Sequence, residues 1–142
     1  MTVALDILAG MLVGTLMGLI ASAHAAVLFT SRPPRFIERR IEEGGSANIV
    51  TIFVFGLVVF WTVAGVFAAL VAAALIGEDA VLELVPSSEY LVVIVAVLVM
   101  FGGMAMFFLR DRWVHGLFSL VLAFGIYGFL IPNAVIALQN RT

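Results

Sequence analysis

The chain has 142 residues, of which 64% are hydrophobic and 11% are charged, and its mean hydropathy is +1.24. A soluble domain of this length is about half apolar and could not hide so much apolar surface in its core. The net charge of −2 argues against nucleic acid as a partner, and the lack of cysteine excludes disulfides and thiolate chemistry. The composition therefore predicts an integral membrane protein.

The first predicted membrane helix covers about residues 5–29. Its start, MTVALDIL, contains Asp6 and no basic residue, so we expect a retained helix and not a secretory signal peptide. Small residues recur every four positions along it: Gly10, Gly14, Gly18 and Ser22. This spacing lets two helix backbones approach closely, so we expect a packing face for a helix of this chain or of another copy.

The next stretch, SRPPRFIERRIEEGG, predicts a short amphipathic helix over about residues 34–43. A double proline precedes it, which favours a helix start, and a double glycine follows it, which favours a stop. Phe36, Ile37 and Ile41 fall on one side of this helix. We expect it to lie at the cytoplasmic membrane surface, and a solvated connector is the alternative.

Three further segments can cross a membrane, over about residues 47–76, 90–109 and 114–138. Each reaches the ~20 residues needed to cross a hydrocarbon layer of ~30 Å. Trp61 and Thr62 lie midway along the second segment, where such residues are typical of a helix interface. The predicted fold is a single all-α domain over residues 1–142, a bundle of four transmembrane helices with the amphipathic helix between the first two.

The arginines predict how the chain threads through the membrane. The first loop carries four arginines and the turn RDRWVHG carries two, whereas GEDAVLELVPSSEY has four acids and no base. The positive-inside rule places both arginine-bearing connections in the cytoplasm and both termini outside the cell membrane. Trp113 and Tyr90 fall at the levels of an aromatic belt.

Ionisable and polar residues of the first and last helices predict two polar levels, that is, two depths in the membrane at which polar side chains of both helices lie. Asp6 and His24 are 18 residues apart, which is five turns and about 27 Å along a helix, and His115 and Asn133 share this spacing. If the two helices are antiparallel neighbours, Asp6 lies level with Asn133 and His24 lies level with His115. Further candidates at or between these levels are Asn48, Ser119 and Tyr127. Alternatively, Asp6 is an exposed residue favoured by the helix dipole.

His24 has a structural and a functional interpretation. In the structural one, a neutral His24 accepts a hydrogen bond from Asn48 or Thr51. In the functional one, His24 and His115 ligate one haem iron or one metal ion.

Pro132 predicts a kink in the last helix, because its ring disrupts the bond to the carbonyl of Gly128. The freed carbonyl near Tyr127 and Asn133 is a candidate to bind an ion or a polar group of a substrate. A neighbouring helix or water satisfies such a carbonyl more often.

Three functions follow as expectations from these patterns. The packing features, and the lack of a HExxH, P-loop, GxSxG or dinucleotide motif, favour a non-enzymatic membrane subunit or a homo-oligomer assembled through the small-residue face. The alternative is a small channel or transporter with a path through the two polar levels. A more distant alternative is a haem- or quinone-binding redox subunit. The expected partners are the lipid bilayer and other membrane subunits or copies of the chain, and no cofactor is expected outside the histidine pair.

Overall fold

The computed structural model describes residues 3–44, 46–76 and 87–141, and these residues are helical apart from short connections. Its α-helices are α1 (Val3–Ser31), α2 (Arg35–Gly44), α3 (Ser46–Leu75), α4 (Ser88–Phe108), α5 (Trp113–Gly125) and α6 (Ile131–Gln139). A 3-10 turn, Arg110–Arg112, precedes α5, and a π-helical segment, Ile126–Leu130, joins α5 to α6. No strand occurs in the described ranges, so the predicted all-α class is confirmed.

Three helical runs are long and apolar enough to cross a membrane, namely Val3–Ser31, Asn48–Leu75 and Arg110–Gln139. Helix α4 is apolar as well, but its 21 residues are not among these three runs. By length and composition the described residues therefore contain three candidate membrane spans, and the fourth predicted span, in α4, is not confirmed.

The small-residue face of α1 lies in backbone contact with α3 of the same chain. A Cβ atom on Gly10 would lie 2.5 Å from the carbonyl oxygen of Gly65, and one on Gly14 would lie 2.5 Å from that of Trp61. Gly18 faces the α3 backbone in the same way. Because these gaps leave no room for a methyl group, glycine is what allows α1 and α3 to come this close.

The amphipathic helix α2 folds back onto the ends of α1 and α3. Ile37 is fully buried, in a cluster with Leu28 and Phe29 of α1. The ring of Phe36 lies 5.9 Å from that of Phe53 on α3. The apolar side of α2 is therefore covered largely by the chain itself and only in part left for lipid.

The two arginine-bearing connections meet at one end of the bundle. The backbone N–H of Arg35 donates to Asp111 Oδ2 at 3.1 Å, and Arg112 Nε donates to the carbonyl oxygen of Arg32 at 3.3 Å. At the opposite end, the start of α1 lies beside the end of α6. We call these the arginine end and the terminal end, and α1 runs antiparallel to the run from α5 to α6.

A π-helical segment lies directly before Pro132. The N–H of Ile131 donates to the carbonyl of Ile126, five residues earlier. In this pattern the carbonyl of Tyr127 would receive its bond from residue 132, and proline has no N–H. The hydroxyl of Tyr90 on α4 donates to the Tyr127 carbonyl instead. The carbonyl left free by proline is thus satisfied by a neighbouring helix.

Two aromatic residues expected in an aromatic belt differ in exposure. Trp113, at the start of α5, is 57% exposed, as a belt residue would be. Tyr90 is fully buried in the core of the bundle, so its prediction is wrong. The reason is that its hydroxyl is used inside the protein, on the Tyr127 carbonyl.

Candidate functional site

The two histidines of the chain meet near the arginine end of the bundle. His24 Nε2 on α1 and His115 Nδ1 on α5 share a hydrogen bond of 3.0 Å, although 91 positions separate them in the sequence. Their ring centroids lie 5.1 Å apart. Ser119, one turn after His115, donates its hydroxyl to the His115 carbonyl at 3.0 Å. The two histidines thus lie at one level of two neighbouring helices.

This histidine pair has a defined chemistry. A hydrogen bond between two imidazole nitrogens needs one N–H and one lone pair, so one of the two contacting nitrogens carries no proton. The opposite nitrogen of each ring stays available to a second partner. The pair can therefore join two helices and still present a donor or acceptor to its surroundings.

As its rings lie here, the pair is a poor fit to a haem. A haem held by both rings would have to lie between them, and here the rings are in contact. A structural metal site commonly needs four ligands. Over residues 3–44, 46–76 and 87–141, no group of three or more His, Cys, Asp or Glu side chains is placed to hold a metal ion.

Asn48, expected to donate a hydrogen bond to His24, is exposed in the first turns of α3. His24 makes its bond with His115 instead. The ring of His24 also contacts the edge of Phe118, with centroids 5.2 Å apart. The histidine level is therefore built between α1 and α5.

The second polar level, at the terminal end, is built around Asp6. Its side chain is 3% exposed, and Oδ1 accepts a hydrogen bond of 2.9 Å from Gln139 Nε2. Asn133 donates to the Phe129 carbonyl of its own helix at 2.8 Å. The structure thus brings Asp6 to Gln139, and not to Asn133 as expected. The alternative of an exposed Asp6 is wrong, because the end of α6 covers it.

A third set of polar contacts lies midway along the bundle. The hydroxyls of Thr15 on α1 and Thr62 on α3 are 3.1 Å apart, and the Tyr127 hydroxyl donates to the Trp61 carbonyl at 2.5 Å. The sequence indicates an interface at Trp61 and Thr62, but it does not single out Thr15. A threonine in an apolar helix is not distinctive, and only its place on the α1 face one residue after Gly14 could have indicated it.

Ser22, the last member of the small-residue series, also makes a polar contact. Its hydroxyl donates to the Val54 carbonyl on α3 at 2.9 Å. The face that begins with glycines near the terminal end therefore finishes with a hydrogen bond close to the histidine level. Close backbone contact at the glycines and the hydrogen bond of Ser22 therefore join the same two helices, α1 and α3.

A cavity of about 180 Å³ opens beside His115 at the arginine end. Its lining consists of Arg32, Asp111, Arg112, Trp113, Val114 and His115. These residues come from the connection after α1, the 3-10 turn and the start of α5. Two arginines and one aspartate are thus among the lining residues.

Comparison with protein-family models, with curated proteins and with solved structures finds no match to this chain. The arrangement of its own side chains is therefore the basis for a functional assignment.

Proposed function

We propose that the chain is a non-enzymatic integral membrane protein that acts as a subunit of a larger membrane assembly. The observation that supports this most is that polar side chains inside the bundle are hydrogen-bonded to one another. Asp6–Gln139, Thr15–Thr62 and His24–His115 each join two different helices. Side chains held in this way position helices relative to one another.

A small channel or transporter is the second proposal, because polar groups stand at both ends of the bundle. Asp6 and Thr15 are nine residues apart, about 14 Å along α1. Between them the α1 backbone touches α3 at Gly10 and Gly65. A polar path through one chain would have to cross this contact, so the transporter proposal favours a path formed between several copies.

Assembly with a partner would use surfaces other than the small-residue face of α1. That face is occupied by α3 of the same chain, and a second copy could bind it only by displacing α3. The outward sides of α3 and α4 are strongly exposed, notably at Phe55, Phe67 and Val99. Lipid and partner helices are the surroundings that such side chains suit.

For the threading we propose four crossings, with α4 as the third, in the cell membrane. The two arginine-bearing connections lie at the same end of the bundle, and the positive-inside rule assigns that end to the cytoplasm. Both chain ends then lie outside.

The test is extraction of the tagged chain from its own membrane in a mild detergent, followed by native mass measurement and an absorption spectrum. We expect the chain to leave with one or more larger subunits in fixed ratio and without a haem absorption band. A closed homo-oligomer that conducts ions after reconstitution would replace the subunit proposal with the channel. A Soret band would overturn both in favour of a redox subunit.

A further inference from the structure

The cavity at the arginine end has the chemistry of a phosphate-binding site. Arg32 and Arg112 both line it, and Asp111 is the single carboxylate among the lining residues. Counting Asp111 against the two arginines leaves a net charge of +1, before the neighbouring Arg35 and Arg110 are considered. Guanidinium groups bind phosphate oxygens through charge-assisted hydrogen bonds. A cavity of about 180 Å³ with this lining favours a bound anion.

An apolar stripe leads away from the cavity along α5. Val114 belongs both to the cavity lining and to this stripe, which continues at Leu117, Phe118 and Val121. These residues follow each other at helical spacing and are 58%, 48%, 53% and 63% exposed in that order. A ligand with an anionic head and a long apolar tail would cover the cavity and the stripe at once.

Trp113 indicates at which level of the membrane the cavity lies. It lines the cavity and is exposed at the start of a span, where an interfacial tryptophan lies at the level of the lipid head groups. Under the threading proposed above this end lies in the cytoplasm, where basic pockets between membrane helices recognise anionic head groups. The depth, the charge and the apolar stripe therefore indicate the same class of ligand.

From this geometry we propose that the cavity between the end of α1 and the start of α5 binds an anionic phospholipid. Arg32 and Arg112 hold the phosphate, and an acyl chain lies along Val114, Leu117, Phe118 and Val121. Asp111 accepts the backbone N–H of Arg35 and lowers the local positive charge. The lipid would bridge the two arginine-bearing connections where they already touch.

Fluorescence quenching by brominated lipids tests this site. Trp61 and Trp113 are the two tryptophans, and the indole N–H of Trp61 makes no hydrogen bond within the described residues, so Trp61→Phe leaves Trp113 as a single reporter. The full chain is reconstituted in phosphatidylcholine vesicles that contain either brominated phosphatidylglycerol or brominated phosphatidylcholine. We expect phosphatidylglycerol to quench Trp113 more strongly at equal content.

Variants that remove the same charge at different places distinguish binding in the cavity from general attraction of anionic lipid to a positively charged surface. Arg32→Gln with Arg112→Gln should reduce the preference for phosphatidylglycerol about tenfold, the scale of a charge-assisted hydrogen bond. Arg39→Gln with Arg40→Gln removes the same charge from the exposed side of α2 and should change the preference by less than about twofold. Equal losses in the two double variants would overturn the proposal.

Two single variants guard against misfolding. Arg32→Gln keeps the Arg32–Arg112 bond, because that bond uses the backbone carbonyl of Arg32, and it should still weaken the preference. Asp111→Asn keeps an acceptor for the Arg35 N–H and should strengthen the preference. An unchanged preference in both variants would contradict the site.

Inorganic phosphate distinguishes a lipid from a free anion. At millimolar concentration it should leave the phosphatidylglycerol preference intact, because it offers nothing to the apolar stripe. Displacement of the lipid by phosphate alone would overturn the assignment to a phospholipid.

Discussion

Pro132 shows how one residue type shapes its surroundings in an apolar solvent. Without an N–H, proline leaves a carbonyl that water cannot reach within a bilayer, where each unsatisfied group costs several kcal/mol. Here the π-helical pattern shifts the free carbonyl to Tyr127, and the Tyr90 hydroxyl from α4 satisfies it. A local backbone defect thereby becomes a contact between helices.

This explanation makes a prediction about Tyr90 and Pro132 together. Tyr90→Phe removes the donor and leaves the Tyr127 carbonyl unsatisfied, so it should destabilise the fold by about 1–3 kcal/mol. Pro132→Ala restores a backbone N–H, so Tyr90→Phe should cost clearly less in that background. Thermal unfolding of the four proteins in detergent measures the coupling. Tyr127→Phe is the control, since it keeps the Tyr127 carbonyl and loses only the bond to Trp61. Strictly additive effects of the first two changes would contradict the explanation.

The histidine pair makes a second prediction at this scale. His24→Leu should destabilise the bundle by about 1 kcal/mol, because His115 loses its partner in an apolar setting. His24→Gln should cost less, since an amide N–H can donate to His115 Nδ1 in its place. A double-mutant cycle with His115→Leu isolates the pair from the rest of the structure. A coupling energy of zero would show that the hydrogen bond makes no net contribution.

At the scale of the elements, α1 and α3 are matched by shape. Gly10, Gly14 and Gly18 on α1 and Gly65 on α3 remove the side chains that would keep the two backbones apart. Lipid tails are as apolar as the helices, so the hydrophobic effect does not drive two helices together in a membrane. Close packing and hydrogen bonds favour their association instead. The Thr15–Thr62 contact adds a polar element to this packing.

The addition of one methyl group tests the match. A Cβ at Gly14 would lie 2.5 Å from the Trp61 carbonyl oxygen, so Gly14→Ala should destabilise the fold by about 1–3 kcal/mol. A Cβ at Gly56 on α3 would have nothing within 4 Å, so Gly56→Ala should be neutral or stabilising by up to about 1 kcal/mol. Denaturant unfolding in detergent compares the two variants. Equal stability would remove the role assigned to the small-residue face.

Helical periodicity accounts for what the sequence could predict about these elements. The spacing of Gly10 to Ser22 depends only on the pitch of a helix, so the packing face was readable. The common level of His24 and His115 was readable only on the assumption that the first and last helices are antiparallel neighbours. The identity of each partner depends on which helices pack and at what offset. For that reason α3 as the partner of the glycines, Gln139 as the partner of Asp6, and the burial of Tyr90 were not predicted.

At the scale of the whole molecule, polar contacts mark both ends of an apolar bundle. Arginines and the histidine pair stand at one end, and Asp6 with Gln139 stands at the other. Apart from Tyr90, residues 46–76 and 90–109 contain no ionisable side chain. The two ends of the bundle are therefore expected on opposite sides of the membrane, and this expectation can be tested directly.

The chain contains no cysteine, so single cysteines report on the two ends without background. Ser31 and Ser87 are both exposed and lie in or beside different connections. In intact cells a membrane-impermeant maleimide should label Ser87→Cys and leave Ser31→Cys unlabelled until the membrane is broken. The reverse pattern would invert the threading, and labelling of both would mean that α3, the one predicted crossing between them, does not cross.

The contact between α1 and α3 also bears on how the protein is made. These are consecutive long helices, so their hairpin can close while the C-terminal half is still on the ribosome. The Asp6 carboxylate then waits for Gln139, and His24 waits for His115, until synthesis is almost complete. During that interval the half-made protein exposes a carboxylate and an imidazole to lipid, which a membrane quality-control protease or a chaperone can recognise. Release from that surveillance would coincide with the docking of the last helix, so an unassembled N-terminal half should be short-lived in cells.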